Sequence, residues 1–175
     1  MSILVNLLLL LALSACKKYQ DEPGKSDPRL NRHYCNDPDA VNFNKDFPGI
    51  ADNSVCIYPA DVFAGNYSFV DSVYDGSQKL QIERPLVLKF VALNHTQFYM
   101  EGFCAGSSRQ NFTTNRSLLA AADTTVGSGQ LLCRSKDTLS GGIFQKLGDS
   151  TRIQFSLIVV SDTGVSYHQG TAYRQ

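Results

Sequence analysis

The sequence predicts an all-β protein: an antiparallel meander closing into a small barrel or sandwich, preceded by a short irregular module held by a disulfide. Three observations lead there. From residue 61 onward, apolar and polar residues alternate in several short runs. Turn-forming clusters separate the runs, at Asn94-His95-Thr96, Gly148-Asp149 and Asp162-Thr163-Gly164. The cysteines beyond Cys16 fall into two local pairs, one ahead of the alternating region and one within it.

The chain opens on an apolar run, "LLLLLALSAC", that ends at Cys16 and is followed at once by Lys17-Lys18. A helical membrane span needs about 20 apolar residues. Length and flanks predict instead the apolar region of a signal peptide, residues 1–15. Leu13-Ser14-Ala15-Cys16 resembles the lipobox of Gram-negative bacterial lipoproteins. That resemblance implies cleavage before Cys16, a diacylated Cys16 thiol (with palmitate among the acyl groups) and a new amino terminus that is usually acylated too. Small residues let a protease reach the backbone, and only a thiol forms the thioether. Each buried CH₂ contributes about 0.8 kcal/mol, so two or three acyl chains hold a protein on a bilayer. The implied location is the cell envelope, anchored to the outer membrane and facing either the periplasm or the surface. No Lys or Arg precedes the run, so either the terminal amine supplies the positive charge or the true start lies upstream.

Removing residues 1–15 leaves 160 residues, enough for one domain with a core plus a small module. Sixteen basic and sixteen acidic residues cancel without clustering, which excludes nucleic acid as a partner because phosphate binding needs a basic face. Cys16, consumed by lipid, accounts for the odd cysteine among five. Cys35, Cys56, Cys104 and Cys133 remain, and Cys35–Cys56 with Cys104–Cys133 is the simplest of three connectivities. Loops of 21 and 29 residues would each contribute on the order of 3 kcal/mol, in an oxidising compartment. Zinc is disfavoured: no two cysteines have C-x₂₋₄-C spacing, and His33 beside Cys35 makes no finger pattern.

Residues 16–33 read as a lipidated flexible tether, rich in charge and carrying Pro23, Gly24 and Pro28. Residues 34–60 follow. There Cys35, Asp37, Pro38, Ala40, Asn42, Phe43, Asn44, Asp52, Asn53, Ser54, Cys56 and Tyr58 resemble a cysteine-bracketed module of envelope and secreted proteins. Asp37, Asp39, Asp46 and Asp52 invite a calcium reading. An EF-hand alignment fails, since Asn42 stands where Gly is needed and Pro48 where the bidentate Glu belongs. Asn and Asp capping turns, with a disulfide doing most of the holding, is the simpler account.

Residues 61–175 carry the β pattern. Tyr67, Phe69 and Asp71 oppose Ser68, Val70 and Ser72; Leu86–Leu93 and Gln97–Phe103 form a hairpin; a strand precedes Gly148-Asp149. Ile153, Phe155, Leu157 and Val159 share a face before a last strand through Val165 and Tyr167. Ser117–Ala122, "SLLAAA", reads as a helical turn. Phe63, Gly65 and Tyr67 at the start, with Ala172 and Tyr173 at the end, resemble small lipocalin-like domains of bacterial lipoproteins. The likeness implies a barrel of seven or eight strands, whose interior is filled or holds one small ligand.

Residues with chemistry are scattered. His33, His95 and His168 share no metal-binding spacing. No nucleophile elbow, P-loop or dinucleotide fingerprint occurs, and Glu22, Glu83 and Glu101 are the only glutamates. Tyr99, Tyr167 and Tyr173 are candidates for a cavity mouth. Asn66, Asn94, Asn111 and Asn115 head N-x-S/T sequons, which a bacterial lipoprotein is not expected to use. Asp71-Ser72-Val73, Asp123-Thr124-Thr125 and Asp137-Thr138-Leu139 resemble an O-glycosylation signal of bacterial envelope proteins. The expectation is a membrane-anchored binding or structural protein for an envelope partner, with no enzyme activity, cofactor or metal. The alternatives are a carrier of a small apolar ligand and a calcium-stabilised adhesion module.

Overall fold

The computed structural model describes residues 26–105, 108–124, 129–133 and 136–175. Cys16 and the signal segment lie outside them. Eleven strands run in chain order: β1 (His33–Tyr34), β2 (Ile50–Ala51), β3 (Gly65–Asp75), β4 (Leu80–Ala92), β5 (Gln97–Glu101), β6 (Gln110–Thr114), β7 (Leu119–Ala122), β8 (Gln130–Leu131), β9 (Thr138–Phe144), β10 (Arg152–Ser161) and β11 (Gly164–Arg174). One short helix, α1 (Pro59–Phe63), precedes β3.

Eight of these strands close into an antiparallel barrel in the order β3-β4-β5-β6-β7-β9-β10-β11, with β11 returning to pair with β3. The short β8 pairs with β9 just beyond the point where β7 ends. There the Gln130 carboxamide behaves like a strand residue. It accepts from the Asn111 N–H at 3.0 Å and donates to the Asn111 carbonyl at 2.6 Å, bridging β6 to β8. At the same end β4 outruns β5, so residues 80–88 pair only with β3 among the described residues.

Each strand presents alternate residues to the interior. Phe63 stacks on Phe98 at 5.0 Å, Phe98 on Phe112 at 5.5 Å, and Phe69 on Phe155 at 4.4 Å, while Tyr67 meets Phe90 edge-on at 5.3 Å. All seven are buried, and Leu88, Met100, Ile153 and Leu157 pack among them. The barrel axis is therefore occupied by side chains at this level rather than by open space.

The expected helical turn at Ser117–Ala122 is a strand. Ala120 and Ala122 face the core while Leu119 and Ala121 face out, an alternation of period two. The chain reverses first through Asn115–Leu118, where Asn115 accepts from Ser117 N–H at 2.9 Å and Leu118 takes φ 57°. Alanine has high helix propensity, but here small side chains fit beside Phe112, and packing overrides propensity.

One end of the barrel is plugged. α1 drives Phe63 into the core, and the Ala60 N–H donates to the His95 carbonyl at 3.1 Å. Arg174 at the end of β11 ties the plug to the wall. Its guanidinium donates to the Ala64 carbonyl at 3.0 Å, to the Val62 carbonyl and to the Tyr67 hydroxyl at 2.6 Å. Tyr67 in turn donates to the Phe63 carbonyl at 3.1 Å. Burial pushes the Tyr67 hydroxyl's pKa up, against a smaller opposing pull from Arg174.

The N-terminal module sits on this plugged end. Tyr58 stacks on His95 with centroids 3.4 Å apart, and Val41 packs against the barrel core. Both expected disulfides form, Cys35–Cys56 within the module and Cys104–Cys133 at the far end of the barrel. Asn42 clamps the module by donating to the Val55 carbonyl and accepting from the Ile57 N–H, each at 2.8 Å. Part of the stretch assigned as tether is structured among the described residues. Asp27 caps a 3₁₀ turn at Pro28–Asn31, and the Arg32 carbonyl accepts from the Ile50 N–H.

Replacing Arg174 with Ala removes a charged donor from three acceptors and should cost about 3 kcal/mol. Urea unfolding monitored by circular dichroism measures that loss, and Tyr67→Phe should cost less because the ring stays packed.

Candidate functional site

At the end of the barrel opposite the plug, inward parity is broken by charge. Along β3 the inward sequence is Tyr67, Phe69, Asp71 and Val73, so a carboxylate occupies a core position and is 0 % exposed. Burying a lone carboxylate costs many kcal/mol, so it must be paired and hydrogen-bonded. Two neighbouring strands supply partners. Arg84 on β4 stands directly opposite Asp71 in the register and donates from Nε to Oδ2 at 2.8 Å. His168 on β11 stands opposite Val73, one inward step along, and its Nδ1 lies 2.9 Å from Oδ2 and 3.2 Å from Oδ1.

These contacts set the histidine's hydrogens. A carboxylate engaged by a guanidinium only accepts, so His168 must carry its proton on Nδ1. In the neutral ring Nε2 is then a bare lone pair. Ser166, two residues earlier on the same inward face of β11, lies 3.1 Å from Nε2, and its hydroxyl is the donor when the ring is neutral. Asp71, His168 and Ser166 therefore form a continuous acceptor–relay–hydroxyl chain. His168 is 7 % exposed, whereas Ser166 is only partly covered.

Phe103 covers the cluster. Its ring meets His168 edge-on at 5.4 Å and receives the Arg84 guanidinium at 5.4 Å from its centroid. Two glycines make this possible. Gly102 takes φ 93°, and a Cβ there would collide with the Val87 carbonyl oxygen. Gly170 lets β11 lie close to β3 beside Asp71; a Cβ there would collide with the Val70 carbonyl oxygen and approach the Phe69 ring to 2.8 Å. The Cys104–Cys133 disulfide fixes the loop immediately after Phe103.

A second feature lies on the outer surface. β11, β3 and β4 form a cleft of about 550 Å³ lined by Val70, Pro85, Val87 and Tyr173, with Ser68 and Ser72 between them. Val87 is 63 % exposed and Tyr173 55 %. Its size falls in the range of ligand sites, roughly 300–1,000 Å³.

The sequence candidates disperse. His33 bonds Asp52 at 2.7 Å, His95 stacks on Tyr58, and only His168 enters the buried cluster. Tyr99, Tyr167 and Tyr173 neighbour Phe98, His168 and Ala172 in sequence, and parity turns all three outward, away from a barrel mouth. Asp37 accepts from the Tyr58 hydroxyl and from the Asp39 N–H, Asp46 faces Arg32 at 3.8 Å, and Asp52 caps Ser54. Among the described residues no group of three or more His, Cys, Asp or Glu converges as a metal site. Of the three O-glycosylation-like motifs, Ser72 bonds Glu83 at 3.1 Å, Thr138 is buried, and Thr124 is exposed, with Thr125 outside the described residues. The Asp71–His168–Ser166 chain was missed because its members share no linear motif. The available signal was a carboxylate at an inward position of β3 and a Ser-x-His pair on one face of β11.

Gly102→Ala should lower stability by at least about 1–2 kcal/mol from backbone strain alone, with a further loss as Phe103 is displaced. Thermal melting reads the first effect, and the ring-proton shifts of His168 read the second. Comparison with protein-family models finds no match to this chain, and comparison with curated proteins finds no significant relative.

Proposed function

We propose that the protein is a lipid-anchored component of a bacterial envelope whose barrel serves as a binding module. The anchor rests on Leu13-Ser14-Ala15-Cys16 and the short apolar run before it. The barrel supports a recognition role because its axis is filled by stacked aromatics, which directs contacts to its outer face. The observation that carries the reading is the apolar cleft on β11, β3 and β4, where Val70, Pro85, Val87 and Tyr173 stay open to solvent. The cleft is bordered by Ser68, Ser72, Thr171 and the Glu83 carboxylate, and an exposed apolar patch with a polar rim is characteristic of an interaction site. The module sits on the plugged end, so the cleft lies along the barrel's flank and the charged cluster at the end opposite the module. Interior carriage of an apolar ligand finds no supporting cavity at the aromatic level, and the dispersed aspartates of the module give a calcium-stabilised adhesion role nothing to build on.

Two measurements test this. Cells fed an azido-palmitate should label the wild-type chain, and Cys16→Ala should abolish the label; equal labelling would defeat the anchor. A photo-crosslinking residue placed at Val87 should give an adduct in intact cells, while the same residue at Asp162, on the exposed β10–β11 turn, should not. Equal yield at the two positions would remove the cleft as the binding surface.

A further inference from the structure

Beyond binding, and against the expectation of no catalysis, we propose that Ser166 is a nucleophile that cleaves carboxylic esters of small apolar acids. The geometry points to it in four ways. The Ser166 hydroxyl lies 3.1 Å from His168 Nε2, within the reach a general base requires. The opposite ring nitrogen, Nδ1, is held by a buried carboxylate at 2.9 Å, which leaves Nε2 as the basic atom. Asp71 is already charge-balanced by Arg84, so a proton arriving on His168 forms an imidazolium beside a fixed carboxylate. Finally, Ser166 is partly exposed, so the hydroxyl at the end of the chain is the member a substrate can reach.

The surroundings suit the acyl half of such a substrate. Val73, Ile82 and Val159 belong to the inward set at this end, and Ile82 remains 56 % exposed. Arg84 spends Nε on Asp71, and its two terminal nitrogens have no hydrogen-bond partner among the described residues.

The chemistry balances without a cofactor. Ser166 Oγ bonds to the ester carbonyl carbon as its proton passes to His168 Nε2. The tetrahedral adduct collapses, the C–O bond to the alcohol breaks, and the alcohol leaves with that proton. The acyl group is now an ester on Ser166. Water then attacks the same carbon while giving a proton to Nε2; the acid departs, and Ser166 Oγ recovers the proton. Asp71 touches no reacting atom and acts as a positioning residue for His168.

The test uses the full chain in detergent micelles and a fluorophosphonate probe. Intact mass and peptide mapping should find one adduct, on Ser166, in the folded wild type and none after heat denaturation. Ser166→Ala should remove the adduct with an unchanged melting temperature, and His168→Gln should slow labelling on the order of 100-fold. Wild type should also hydrolyse p-nitrophenyl acetate with a burst of p-nitrophenol, which Ser166→Ala abolishes. Nitrogen-15 shifts of the neutral His168 ring should show a protonated Nδ1 and a bare Nε2, and Asp71→Asn should erase that preference even where the fold survives. Absence of an adduct on Ser166 in the folded wild type overturns the proposal. So does labelling that is as fast after denaturation as before it, or as fast in folded His168→Gln.

Discussion

Barrel closure is the constraint on which the rest of this structure depends. When β11 returns to β3, every strand acquires an inside and an outside, and the residues of each strand are sorted by parity alone. An eight-stranded ring leaves an interior narrow enough for side chains to fill. The sorting explains the stacked phenylalanines within, the solvent-facing tyrosines without, and the alanines of β7 where ring neighbours leave little room. It also makes Asp71 conspicuous: the same rule that buries Phe69 buries a carboxylate two residues later, and the fold must then answer its charge.

The two ends solve opposite problems. At one, backbone carbonyls at the close of α1 point into a crowded region, and the Arg174 guanidinium satisfies them while lying over the Tyr67 ring at 5.1 Å. The cation there binds the last strand to the first and gives the N-terminal module a firm base. At the other end the guanidinium of Arg84 meets a side-chain carboxylate instead, and the imidazole of His168 completes the shell. One arginine therefore stabilises a neutral plug, whereas the other leaves a polarised network under the single cover of Phe103.

Much of the fold was legible in the order of residues. The long strands β3, β4, β10 and β11 alternate cleanly, and their turns carry Asn, Asp and Gly. The pairing of Cys35 with Cys56 and Cys104 with Cys133 followed from proximity in the chain. What failed were the elements whose identity comes from neighbours. "SLLAAA" suits a helix until β6 and β9 flank it. "QNFTT" of β6 is polar on its outer side and too short to show a period, and β8 is two residues long. The charged cluster was harder still. Asp71 and His168 stand 97 residues apart, and only closure brings their strands together. Parity placed each side chain inward, but the register between β3 and β11 decided that they meet.

The overhang of β4 has a consequence for self-association. Residues 80–88 have no strand partner on the side away from β3 among the described residues, and such an edge is where a second chain can add a strand and begin a fibre. The segment reads Leu-Gln-Ile-Glu-Arg-Pro-Leu-Val-Leu, and its middle is Glu83, Arg84 and Pro85. Pro85 has no N–H to offer an incoming strand, and stacking copies in register would set Glu83 on Glu83 and Arg84 on Arg84. Arg84 is thus placed to oppose strand addition at this edge as well as to neutralise the carboxylate beside it, so that one side chain links resistance to self-association with the integrity of the buried cluster.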